Sequence, residues 1–141
     1  MDSAAQRLTL PASVESVALF REFVRSGAVV AEVPSEELEK LDLVLEEILV
    51  NVARYAYLPG NGSAEVAFAP DGPGKLHVEI SDWGNAFNPL DAEPPDFSRG
   101  LAERPIGGLG VFLVRSLVSD IAYRREQDRN VLSFGFPGPG A

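Results

Sequence analysis

Three short segments of the chain hold residues whose types and spacing could do chemistry. In the first, residues 46–51, Glu47 and Asn51 are four residues apart, which makes them neighbours on one face of a helix. Asn51 interrupts an apolar run, and burying its amide unpaired would cost about 1–3 kcal/mol. An amide oxygen suits Mg²⁺, and Glu47 could orient a water molecule or accept a hydroxyl proton. A solvated Glu and an Asn bonded to a nearby loop are the structural alternative.

The second segment, residues 82–87, begins with an Asp at the end of an alternating strand. The Asp82 carboxylate could accept a hydrogen bond from an exocyclic amine such as that of adenine. Gly84 would let the backbone approach a flat ligand. Trp83 and Phe87 flank this possible adenine site and could pack on a base or anchor the loop. The alternative is an ordinary turn, in which Asp and Gly are both common.

The third segment is Gly107-Gly108-Leu109-Gly110, which opens an apolar helix. Bare backbone N–H groups and the positive end of the helix could bind phosphates, although a flexible helix entry would have the same sequence. No Gly-Lys-Ser/Thr follows, so the segment is not a P-loop. It follows a long loop rather than a strand, so it is not a Rossmann turn.

The loop between the second and third segments is long and rich in proline, which is typical of a functional lid in a small domain. Arg99 and Arg104 lie in this loop. Either guanidinium could reach a γ-phosphate when the loop closes, or could be solvated. The loop therefore joins the Asp-containing segment to the glycine-rich one and could cover a ligand between them.

Hydrophobic periodicity predicts the elements that must position these segments. Ser13 is expected to cap the first helix, with Val14 among its buried residues, and Gly27 to end it. The order β-α-α-β-β-α-β-β favours a two-layer α+β sandwich, in which a mixed, mostly antiparallel sheet is covered on one face by three helices. Strands are predicted at 7–10, 65–69, 75–81, 121–125 and 130–136, and helices at 13–26, 35–57 and 108–119.

Bulk properties narrow the classes of function. The 141 residues suit one domain, 1–141, with its core at about 7–136. The net charge of −9 argues against direct binding to nucleic acid or to an anionic membrane. The absence of Cys excludes disulfides, thiolate metal sites and a Cys nucleophile. Without an apolar signal or membrane-spanning stretch, a cytoplasmic protein is expected.

Taken in order on helix, strand end and helix start, the three segments resemble the GHKL ATPase superfamily. They are most similar to the small anti-sigma factor serine kinases, over about residues 8–136. The resemblance implies the Bergerat, histidine-kinase-like sandwich with ATP and Mg²⁺ as cofactors. It also implies Glu47 as general base and Asn51 as Mg²⁺ ligand. Asp82 would accept the adenine amine, with Gly84 beside the adenine ring.

The resemblance assigns further nucleotide contacts and shows two departures. Ala86 stands where the family often has a second Gly, and Tyr55 stands where many relatives have His. Ala86 is counted with the nucleotide-binding residues, whose remaining members precede or open the third helix. These are Arg104, Gly107, Gly108, Leu109 and Gly110.

By resemblance, the chain is expected to phosphorylate Ser or Thr of an anti-anti-sigma (STAS-domain) protein, to bind a sigma factor and to form a homodimer. A nucleotide-responsive or nucleotide-free binding module that switches partners without phosphorylating them is the alternative. A detached histidine-kinase catalytic domain is less favoured. The only His, His77, lies on the outward face of a predicted strand, and no segment remains for a dimerising helical hairpin.

Overall fold

The computed structural model describes residues 5–90 and 108–139, and within them five strands form one sheet. The strand order is β1-β2-β3-β5-β4, and every neighbouring pair is antiparallel. This confirms the predicted order of elements and the α+β class. The strands are β1 (Gln6–Pro11), β2 (Ser63–Pro70), β3 (Leu76–Asp82), β4 (Ser119–Glu126) and β5 (Arg129–Phe136); the helices are α1 (Val17–Val30), α2 (Leu38–Asn51) and α3 (Gly108–Leu117).

The core lies between one face of the sheet and the helices. Alternate residues of the central strands point into it, which is the pattern of a sheet covered on one face. The helices contribute their apolar stripes to the same cluster, and each fully buried Leu or Phe stabilises the fold by roughly 1.5–3 kcal/mol. The largest fully buried side chains include Phe20, Leu41, Leu45 and Ile48 from the helices and Leu76, Leu132, Phe134 and Phe136 from the sheet.

The two hairpin turns contain residues with left-handed backbone conformations. Gly72 and Gly74, between β2 and β3, have φ of 86° and 76°. Gln127 and Asp128, between β4 and β5, have φ of 50° and 60°. Positive φ at both central residues gives a two-residue turn whose twist matches that of the flanking strands. These turns set the registers of β2 with β3 and of β4 with β5.

The start and end of the first helix differ from the prediction. A 3₁₀ turn precedes α1, the Ser13 side chain caps no backbone N–H, and Val14 is 55% exposed rather than buried. Gly27 does not end the helix, which continues to Val30. A Cβ at Gly27 would overlap the ring of Phe68 on β2. The glycine therefore allows close contact between helix and sheet. In the sequence, such a glycine cannot be distinguished from one that ends a helix.

The predicted helix 35–57 is three consecutive structures. A 3₁₀ turn spans Ser35–Glu37, α2 follows, and a π turn spans Val52–Ala56. π turns are rare and occur often at functional sites. Leu45 of α2 and Val52 of the π turn are both buried. The change in helical pitch comes directly after Asn51, so a candidate site residue lies at the junction.

The ends of the remaining elements are shifted by one or two residues. The third helix ends at Leu117 rather than 119, because β4 already begins at Ser119. An irregularity in the β4–β5 register follows between Ser119 and Ala122, with Asp120 at φ 52°. Among the helices of residues 5–90 and 108–139, none has the length and apolar character needed to cross a bilayer.

Candidate functional site

The first pair of candidate residues lies at the C-terminal end of α2. Asn51 is the last residue of the helix and only 4% exposed. Its Nδ2 donates to Glu47 Oε1 at 3.4 Å, so the two side chains are neighbours, as their spacing predicted. Its Oδ1 is buried and has no hydrogen-bond partner among the described residues. A buried oxygen in this state costs about 1–3 kcal/mol until a donor or cation binds it.

The surroundings of Glu47 favour a role as a base. Burial raises the pKa of Glu47 above its ordinary value, and the charge of Glu46 adds to this increase. The hydrogen bond from Asn51 and the charge of Arg54 oppose it. A carboxylate whose pKa is raised towards neutrality accepts a proton more effectively than an ordinary surface Glu.

Gly110 brings the third segment to the first. It lies in the first turn of α3, and a Cβ at this position would overlap the Glu47 carboxylate. The glycine therefore lets the helix backbone lie directly against the candidate base. The positive end of α3 and Glu47 consequently share one side of the site.

Asp82 ends β3, as predicted, and is only 2% exposed. Its Oδ1 accepts hydrogen bonds from the Gly84 backbone N–H at 2.9 Å and from Asn130 Nδ2 at 2.8 Å. Burial raises the pKa of Asp82, while these two bonds and the charge of Arg125 oppose the increase. Both donors supplied by the described residues reach Oδ1, which leaves Oδ2 for a further donor.

The close backbone approach that Gly84 allows is to the protein itself. A Cβ at Gly84 would overlap the carbonyl of Ala56, at the end of the π turn. The neighbouring Asn85 donates its backbone N–H to the same carbonyl at 2.7 Å and its Nδ2 to Leu58 O at 3.1 Å. The π turn after α2 and the residues that follow it thus bind the loop after β3 through hydrogen bonds. Contact of Gly84 with a flat ligand stays a prediction.

Asn130 belongs to the site, and sequence reasoning missed it. It lies on β5 directly opposite Asp82, is 2% exposed, and donates Nδ2 to Asp82 Oδ1. A signal was present, because Asn130 is in phase with the inward-facing Leu132 and Phe134 of the same strand. A polar residue in the apolar phase of a strand end is a candidate site residue in its own right.

The aromatic residues predicted near the site differ in their exposure. Trp83 is 44% exposed, and its backbone N–H donates to the Tyr57 hydroxyl at 2.8 Å. Phe87 is half-buried against the core, with its ring 6.0 Å from that of Tyr55. Ala86, between them, is exposed. Phe87 therefore anchors the loop, whereas Trp83 is free to contact a ligand or partner.

Part of the predicted phosphate-binding loop cannot be placed against these residues. Arg99, Arg104 and Gly107, with the lid expected at 91–107, lie outside the described residues. Gly108 and Leu109 belong to the first turn of α3. The described part of the site is therefore the end of α2, the end of β3, the start of α3 and the beginning of β5.

Comparison with known proteins gives one family and a consistent set of relatives. The model of the histidine kinase-like ATPase domain family matches residues 10–136. The serine-protein kinases RsbW of Bacillus cereus (strain AH187) and Bacillus anthracis are 26% identical to this chain over 129 residues, which cover 89% of the chain and 80% of each relative. The RsbW of Bacillus mycoides (strain KBAB4) is 24% identical over the same shares.

Proposed function

The chain belongs to the histidine kinase-like ATPase domain family, and from this premise we propose that it is an ATP- and Mg²⁺-dependent protein kinase. Its substrate is a Ser or Thr hydroxyl of an anti-anti-sigma (STAS-domain) protein, and it also binds a sigma factor. The similarity to proteins named serine-protein kinase supports the reaction class. The partners, a homodimeric state and a cytoplasmic location rest on the resemblance to anti-sigma factor kinases.

One observation carries the proposal, namely the unpartnered Oδ1 of the buried Asn51 beside Glu47. An amide oxygen is a hard ligand, and Mg²⁺ normally takes few protein ligands together with phosphates and water. The residues present therefore fit the ion, which Asn51 would hold. When bound, Mg²⁺ neutralises charge on the phosphates of ATP.

The chain's own residues then have separable tasks. The Oδ2 of Asp82 accepts the adenine amine, and the N–H groups of the first turn of α3 receive phosphate oxygens. Glu47 accepts the proton of the substrate hydroxyl. The hydroxyl oxygen forms a bond to the γ-phosphorus, the bond from that phosphorus to the β–γ bridging oxygen breaks, and ADP leaves. Positioning and charge stabilisation supply most of the rate in such transfers.

The test is phosphate transfer from γ-labelled ATP to STAS-domain proteins of the same organism. We expect labelled Ser or Thr with the native chain and Mg²⁺. Because Gln keeps the size of Glu47 but cannot accept the proton, Glu47→Gln should slow transfer by about 10²–10⁴-fold. Asp42→Asn is the matched control, because Asp42 lies on the same helix and is paired with Arg25 at 2.7 Å.

The pattern of results separates the kinase from the alternative function. If Glu47→Gln transfers phosphate as fast as the native chain and the Asp42→Asn control, Glu47 is not the base. If the native chain transfers none to any STAS-domain protein, yet binds one in a pull-down, the binding module that switches partners without phosphorylation is the better account.

A further inference from the structure

A row of polar side chains crosses three adjacent strands at the site end of the sheet. Asp82 on β3 lies directly opposite Asn130 on β5, which lies directly opposite Arg125 on β4. The corresponding row two residues deeper is Ile80, Leu132 and Tyr123. The polar row therefore continues the face that the helices cover, where polar groups are retained only if they are hydrogen-bonded.

Asn130 has its hydrogen-bonding groups engaged, which fixes the orientation of its amide. Its Nδ2 donates to Asp82 Oδ1 at 2.8 Å and to the Asn85 carbonyl at 2.7 Å. Its Oδ1 accepts from the Tyr123 hydroxyl at 2.7 Å and from the Phe87 backbone N–H at 3.1 Å. The groups near Nδ2 are acceptors and the Phe87 N–H near Oδ1 can only donate, so a flipped amide would lose its bonds to Asp82, Asn85 and Phe87.

Arg125 ties the outermost strand to the same group. Its guanidinium donates to the Gly84 carbonyl at 2.8 Å and to Asn130 Oδ1 at 3.1 Å. One side chain of β4 thus holds both Gly84, two residues after Asp82, and Asn130, directly opposite Asp82. The position of the Asp82 carboxylate therefore depends on residues outside the three segments that first suggested the site.

We propose that Asn130 is a positioning residue that makes the site selective for adenine. The N–H groups of Asn130 and Gly84 hold Oδ1 of Asp82, so that Oδ2 is the oxygen presented to the base. A lone acceptor at this place suits the exocyclic amine of adenine and disfavours guanine, whose corresponding position bears an oxygen acceptor. This inference rests on the proposed binding of ATP at this site.

The first test compares the affinities of the full chain for ADP and GDP by titration calorimetry. The native chain should prefer ADP. In Asn130→Leu, the carboxylate loses its side-chain donor, and the ratio of ADP to GDP affinity should fall by about tenfold. Ser133→Ala is the matched control, because Ser133 is on the same strand, 9% exposed, and on the other face of the sheet. Its ratio should equal that of the native chain.

A second variant, Asn130→Asp, gives a pH readout that a purely structural role would not move. At about pH 8 two facing carboxylates repel, and ADP affinity relative to the native chain should be at least tenfold lower. Towards about pH 5.5 a proton shared by the pair restores a hydrogen bond to Oδ1, so the relative affinity should recover. The other titratable or charged groups that face this pair are Tyr57, Tyr123 and Arg125, and all three are present in both chains.

The outcomes distinguish this inference from the function on which it rests. A folded Asn130→Leu with the native ADP preference overturns the positioning role alone. If Asn130→Leu does not fold, a relative ADP affinity of Asn130→Asp that is independent of pH overturns it instead. A native chain that binds neither nucleotide overturns both the positioning role and the kinase proposal.

Discussion

Two buried asparagines of the site, Asn51 and Asn130, have almost the same exposure and opposite hydrogen bonding. Asn51 makes one long bond through its nitrogen and leaves its oxygen without a partner among the described residues. Asn130 uses both its nitrogen and its oxygen. Folded chains satisfy nearly all buried polar groups. We interpret this difference as that between a group kept available for the proposed ligand and a group that orients its neighbours.

This comparison also explains where the fold accepts a cost. The apolar end of the sheet, with Leu76, Phe134 and Phe136 fully buried, contributes stability without polar groups. The opposite end of the sheet has buried Asp82 and the end of α2 has buried Asn51, and the desolvation of both side chains opposes folding. The apolar core offsets the cost of burying these polar side chains.

The largest expected effect on stability is at the satisfied asparagine. Asn130→Leu would leave Asp82, Tyr123 and the Phe87 N–H without their partner, and breaking a buried network of this kind costs about 3 kcal/mol. Urea denaturation of the protein without nucleotide would measure it. A loss below about 1 kcal/mol would mean that water replaces these bonds, and that the two asparagines differ less than their geometry indicates.

Replacing Asn51, the asparagine with an unpartnered oxygen, is expected to stabilise the protein instead. Asn51→Leu removes a buried oxygen that has no partner and adds apolar volume, so the unfolding free energy without nucleotide should rise by about 1 kcal/mol. The same denaturation experiment measures it. Destabilisation by a similar amount would show that Asn51 is satisfied in solution, and would remove the main support for a ligand at its Oδ1.

The smallest effect is a pH dependence of the unfolding free energy that arises from Glu47, the partner of Asn51. Burial raises the pKa of Glu47 above its ordinary 4.5, so the folded protein binds more protons there than the unfolded chain. The unfolding free energy contributed by Glu47 is therefore greatest below pH 4.5 and falls as pH rises through the folded pKa. Glu47→Gln does not show this fall in unfolding free energy, because Gln does not titrate.

Thermal unfolding, measured from below pH 4.5 upwards, gives the unfolding free energy of Glu47→Gln minus that of the native chain at each pH. The difference should increase with pH and then level off. Because the other acidic groups titrate alike in both chains, they cancel. A difference that does not change with pH would contradict a raised pKa at Glu47.

The sequence predicted the parts of the fold that depend on simple periodicity. Strands such as β3, with Leu76, Val78 and Ile80 alternating inward, are recognisable because one face is apolar. It failed at Gly27, where glycine serves close packing against Phe68 rather than a helix end. It also failed at the π turn Val52–Ala56, where the Ala56 carbonyl accepts a hydrogen bond from the loop after β3, a tertiary contact that local periodicity does not report.

For the site, the sequence predicted what local spacing determines. Glu47 and Asn51 are neighbours because four residues make one helical turn. Asn130 was missed because its role arises from strand register, which places it opposite Asp82 although the two are 48 residues apart in sequence. Register between distant strands is set by turns and by the whole apolar pattern, not by any one segment.

We propose that the unpartnered oxygen of Asn51 belongs to a Mg·ATP site. The most direct test is the unfolding free energy of the native chain and of Asn51→Ala, each with and without Mg·ATP, with ATP plus a chelator as control. At about a hundred times the dissociation constant, bound nucleotide should stabilise the native chain by about 2.7 kcal/mol, and Asn51→Ala or the chelator should abolish most of this. No stabilisation of the native chain at millimolar Mg·ATP, or equal stabilisation of Asn51→Ala, would contradict the claim.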